Sequence, residues 1–162
     1  MSKLSEKNGI VRGVKHLECY DLCKDDREAL QEVIGLDQQK LDELLESKGI
    51  SYVLQLRYRG VQAANTYMQI TEPRIKLKSA ETMDEGKQHL EFLLYVIKQL
   101  ALLSAPFLLD GFAKTQQILG NEILSAVTTD KSNDLRKQAW ELETFDVALK
   151  PDILYQKLEV VE

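Results

Sequence analysis

The stretch from Leu90 to Leu102 constrains the fold more than any other part of the chain. Leu90, Leu93, Leu94, Ile97, Ala101 and Leu102 recur at three- and four-residue intervals. That spacing gathers them into one broad stripe on an α-helix, wide enough to be largely buried. A helix so apolar on one side needs other helices against it, and the chain supplies them. Val53, Leu56, Val61, Ala64 and Met68 give a helix from about Ser51 that Pro73 should end, because proline lacks an amide hydrogen and restricts the residue before it. Leu30, Val33, Ile34, Leu41, Leu44 and Leu45 predict an earlier helix, with Gly35 as its weak point and Ser47-Lys48-Gly49 as its stop. Ile10, Val14 and Leu17, followed less regularly by Cys19 and Leu22, predict a first helix starting near Ser5.

Beyond the central stripe, Pro106 should break the helix, and a fifth helix from Phe107 to Leu119 should close at Gly120-Asn121, a helix C-terminal signal. Ile123 to Val127 adds at most a turn. Around Pro151 the helical period fades, and the apolar pair Leu154-Tyr155 suggests an extended segment laid over the bundle. The expected fold is therefore all-α: a bundle of about five helices with an extended C-terminal tail. Leu93, Leu94, Ile97, Phe107 and Leu119 are expected in its core, with Trp140 and Tyr155 anchoring the tail.

With 162 residues, the chain is expected to form one domain spanning 1–162, large enough for a core without disulfides or metal. Glycine is sparse, at 8 residues, and proline sparser, at 3, and no repeat or linker interrupts the pattern. Two cysteines, Cys19 and Cys23, make no disulfide framework, and no apolar run approaches membrane-spanning length, so a cytoplasmic protein with no membrane partner is expected. The net charge of −5 argues against indiscriminate polyanion binding, and DNA is not an expected partner. Yet Gln55 to Lys78 reverses the sign locally: Arg57, Arg59, Arg74, Lys76 and Lys78 stand against one acid, Glu72.

His16, Cys19 and Cys23 share a helix face at the spacing of metal ligands, but a structural zinc site needs a fourth ligand and His89 is remote in sequence. Cysteine is also commonly buried as a small hydrophobe. Neither a metal nor a cofactor is expected. Acid pairs such as Asp25-Asp26 and Asp42-Glu43 read as solvated helix faces, and no phosphate-cradling glycine loop or nucleophile elbow occurs. No catalytic residue is assigned. Asn8 and Arg12, four apart, share a helix face, and asparagine and arginine suit hydrogen bonding to base edges or phosphates.

Four stretches, in order, carry a more specific signal: "NGIVRGV" with Asn8 and Arg12; "AANTYMQITEPR" with Asn65, Tyr67 and Pro73; "LALLSAPFLLDGFAKTQQILG" with Pro106, Phe107 and Ala113; and "KPDILYQKLE" following Trp140. Together they resemble the α-helical anticodon-binding domain of methionyl-tRNA synthetases, a class I aminoacyl-tRNA synthetase family, over almost the whole chain. The resemblance implies a bundle that recognises the anticodon of methionine tRNA through Asn8, Arg12 and the residue after Pro73. That residue is Arg74, where the family has a tryptophan. A guanidinium plane replaces the aromatic platform, able to stack on a base and to contact phosphate. The family's catalytic domain, with its H-I-G-H-like and K-M-S-K-S signatures, has no counterpart here, so this chain alone is not expected to aminoacylate. It is expected to be a fragment of a methionine-tRNA ligase or a free-standing relative working with a catalytic domain in cis or in trans. A protein-interaction module that kept the fold and lost RNA binding is the alternative.

Overall fold

A computed structural model describes Leu17, residues 21–120 and residues 133–141. Within them the chain forms α1 (Lys24–Ile34), α2 (Gln38–Ser47), α3 (Gly49–Thr71), α4 (Pro73–Lys76), α5 (Met83–Ser104), α6 (Leu109–Leu119) and α7 (Asn133–Glu141). There is no strand among the described residues. The protein is an all-α bundle. The first expected helix, apart from Leu17 and Leu22, and the extended tail with Tyr155 lie outside the described residues.

The long helices α3 and α5 form the centre. They run antiparallel, because the start of α3 meets the end of α5 through Arg57 and Ser104, and its end meets the start of α5 through Tyr67 and His89. Helix α1 packs on α3 and α5, and α6 on α5. Buried Leu30, Val33, Leu56, Val96 and Leu103 fill the space between. Leu93 and Leu119 are buried as expected, while Leu94 and Phe107 pack against the core from its margin. Ile97 is not in the core: it is 42% exposed. The buried face of α5 is rotated from the expected stripe and includes His89, Lys98 and Gln99, each fully enclosed.

Those polar residues reach carbonyls and side chains that sequence spacing does not reveal, although Gln99 Oε1 is left buried without a hydrogen-bond partner among the described residues. Gln99 Nε2 donates to the carbonyls of Val33, Ile34 and Leu36, at 3.2, 3.3 and 2.9 Å. It thus caps α1 from outside, supplying donors that the last turn of a helix lacks. This contact explains why the segment from Leu30 to Leu45 divides at Gly35 into two helices rather than running on. Asp37 then caps α2, its Oδ1 accepting from the Lys40 amide at 2.8 Å. Lys98 Nζ donates to the Trp140 carbonyl at 2.6 Å, tying α7 to α5, and Trp140 is buried, while the tail it was expected to anchor lies outside the described residues.

Prolines and glycines act where the sequence places them. Helix α3 ends at Thr71, two residues before Pro73, and Pro73 opens α4 at a position where no amide hydrogen is required. Helix α5 ends at Ser104, two residues before Pro106. Gly120 follows α6 with φ 68°, the left-handed conformation of a helix C-terminal glycine.

Candidate nucleic-acid interface

Arg74 sits on α4, a single turn whose position is fixed from beneath. Glu72 joins α3 to α4 in the left-handed conformation, with φ 44° and ψ 51°, and its amide donates to the Met68 carbonyl. A non-glycine residue there costs roughly 1–2 kcal/mol, so surrounding contacts must hold the turn. Thr71 Oγ1 donates to the Tyr67 carbonyl at 2.8 Å, and Thr82 Oγ1 donates to the Lys76 carbonyl at 2.7 Å, capping the far end of α4. Gly86 on α5 lets this turn approach closely: a Cβ built there would lie 3.1 Å from the Leu77 amide nitrogen and 3.2 Å from Lys76 Cβ.

Below the turn runs a polar chain of four side chains. The Tyr67 hydroxyl meets His89 Nδ1 at 2.7 Å, His89 Nε2 lies 3.3 Å from Glu85 Oε1, and Lys76 Nζ donates to the same Oε1 at 2.5 Å. The pattern fits a histidine carrying its proton on Nε2, accepting from Tyr67 and donating to Glu85. The hydrogen bond from Lys76, followed by that from His89, holds the Glu85 carboxyl below the usual glutamate range. Tyr67 also packs edge-on to His89 and against Phe92, with ring centroids 5.7 and 4.8 Å away. The tyrosine of the "AANTYMQITEPR" stretch is thus a buried support for α4.

This arrangement sorts the basic stretch. Lys76 is neutralised by Glu85, and Arg57 donates Nε to Ser104 Oγ at 2.6 Å. Arg57 is fourteen residues before the end of α3, roughly 21 Å along its axis, so the five cations do not form one patch. Arg74 and Lys78 remain exposed, beside Ile75 at 59% exposure. Arg74 makes no ion pair among the described residues, with Glu72 or any other acid.

Asn8 and Arg12 lie outside the described residues, so of the three expected contacts the structure describes Arg74 alone. His16 and Cys19 are likewise outside; Cys23 is exposed and its Sγ accepts from the Asp26 amide at 3.4 Å, at the start of α1. Among the described residues, no group of three or more His, Cys, Asp or Glu could hold a metal, and no helix is long and apolar enough to cross a membrane.

The polar support was missed by sequence reasoning. Its one local signal is the four-residue spacing of Glu85 and His89; Tyr67 lies 22 residues from His89, on another helix. Bundle and turn present an arginine that makes no ion pair among the described residues, on a braced surface. No family model matches the chain, and neither a curated protein nor a solved structure does.

Proposed function

We infer that this chain is a tRNA anticodon-binding domain of the methionyl-tRNA synthetase type, part of a methionine-tRNA ligase or a free-standing relative of one. Arg74 carries this reading: an exposed guanidinium with no ion pair among the described residues, on a turn braced by the Tyr67–His89–Glu85–Lys76 chain. Rigid placement matters, because an unpaired anticodon base offers a flat π face that a preset guanidinium plane can stack on without losing further freedom. In this reading Arg74 stacks on a base or binds its phosphate, while Asn8 and Arg12 orient the base edge. The partner is methionine tRNA in the cytosol, and a catalytic domain in cis or in trans supplies the ligase chemistry.

Ile75, 59% exposed beside Arg74, favours a second reading in which the same surface docks a protein. Mobility-shift titration with methionine tRNA and with a tRNA of different anticodon separates the two. Arg74→Ala should weaken binding to the first by about 1–3 kcal/mol, and Arg74→Trp should hold or improve affinity for a CAU anticodon. If the parent protein does not discriminate the two tRNAs, or Arg74→Ala binds like the parent, the protein-docking reading takes its place.

A further inference from the structure

A groove of about 260 Å³ runs between α3, α5 and α6. Its walls include Val61 and Met68 from α3, Leu93 and Ile97 from α5, and Phe112 from α6, with Arg57 also in the lining. Val61, Met68 and Ile97 are large apolar side chains left partly in water. From Arg57 to Met68 the α3 wall rises eleven residues, roughly 16 Å. Arg57 is half-buried, and its Nε is bound to Ser104 Oγ, which in turn donates to the Leu100 carbonyl at 2.6 Å. That fixes the guanidinium, and its terminal nitrogens make no hydrogen bond among the described residues. Arg57 makes no ion pair among the described residues.

An apolar trench with one oriented guanidinium at its end calls for an anion joined to a slender apolar chain. The groove falls below the roughly 300–1,000 Å³ of sites for drug-sized ligands. We propose that it binds a linear aliphatic monocarboxylate of medium chain length. The carboxylate accepts two parallel hydrogen bonds from the terminal nitrogens of Arg57, and the chain lies along Val61, Ile97 and Leu93 toward Met68. The thioether of Met68 adapts to the end of chains of different length.

Calorimetric titration of the full chain with hexanoate, octanoate and decanoate, below micelle-forming concentrations, tests this. One ligand should bind per chain, with affinity rising up to about fourfold per methylene, the equivalent of about 0.8 kcal/mol. Arg57→Met should weaken decanoate at least tenfold while leaving decanol unchanged. Ile97→Asp, at an exposed position that preserves the fold by circular dichroism, should abolish binding of both. Decanoate and decanol binding alike, or with more than one ligand per chain, marks adsorption to apolar surface and overturns the proposal. Absence of binding overturns it too, the groove then being filled by another part of this chain. So does conversion of a dimer to a monomer by Ile97→Asp in light scattering, which assigns the groove to a second copy.

Discussion

The two ends of α3 meet the same helix, α5, by opposite means. At its start, Arg57 lies against Ser104 beside an apolar groove that includes Val61 and Ile97. At its end, Tyr67 is enclosed, hydrogen-bonded to His89 and packed at a tilt against Phe92. The first contact borders a face with apolar surface left in water, and its cation makes no ion pair among the described residues; the second buries polar groups and satisfies them. One helix pair thus carries an unfinished face, lined from Arg57 to Met68, beside a finished contact at Tyr67. The unfinished face is where a ligand has something to gain, whereas the finished contact supports what is built on it. Arg74 is carried by the turn above that support.

The largest expected effect sets the two ends against each other directly. Phe92, 6% exposed and packed at a tilt against Tyr67, should cost about 3–5 kcal/mol when truncated to alanine, as a cavity in a packed core does. Ile97→Ala, five residues along the same helix but lining the groove, should cost under about 1 kcal/mol, since much of that side chain is already in water. Urea unfolding of both variants measures the contrast. Equal losses would mean that the groove is part of the core.

Tyr67→Phe sharpens the comparison at a smaller scale. It keeps the ring and its packing on Phe92 but strips the hydrogen bond to His89 Nδ1, leaving a buried acceptor unmatched. The expected loss is about 1–3 kcal/mol, again by urea unfolding. Because His89 holds Glu85 and Glu85 holds Lys76 on α4, amide exchange at Ile75 and Leu77 should quicken in this variant. Unchanged exchange there would uncouple the polar chain from the placement of Arg74.

What the sequence made legible follows the same division. Helix boundaries set by local chemistry were readable: Pro73, Pro106 and Gly120 each mark an end through backbone rules that act within a turn. The buried face of α5 was not, because periodicity counts apolar residues and three of the enclosed positions are His89, Lys98 and Gln99. Each has a carbonyl or hydroxyl far along the chain as a partner: Trp140 for Lys98, the end of α1 for Gln99, Tyr67 for His89. The division at Gly35 had the same hidden cause. Arg74 could be singled out from its place after Pro73, but the sorting of the other cations could not, since Ser104 and Glu85 claim Arg57 and Lys76 across turns and helices.

The smallest expected effect is the pH dependence of the polar end. Hydrogen bonds from Lys76 and His89 depress the Glu85 pKa in the folded protein relative to the unfolded chain, where it takes an ordinary glutamate value near about 4.3. A depressed carboxyl pKa means that the unfolded state binds its proton first as pH falls. The stabilisation is therefore fully present above the unfolded value and is lost as pH drops through the folded one. Glu85 is 44% exposed, so water screens the pair and its contribution is modest. Glu85→Gln keeps the side chain's size and removes the charge, and the variant should be less stable than the parent at neutral pH. The gap should hold constant down to about pH 5 and narrow below the ordinary glutamate value, as the parent's Glu85 protonates too. Urea midpoints of both proteins between pH 3 and 7 read this difference, with the other carboxylates common to both. A gap that stays constant to pH 3 would mean that the Lys76–Glu85 contact brings no charge-dependent stability, and that shape and the Tyr67–His89 bond alone hold α4 in place.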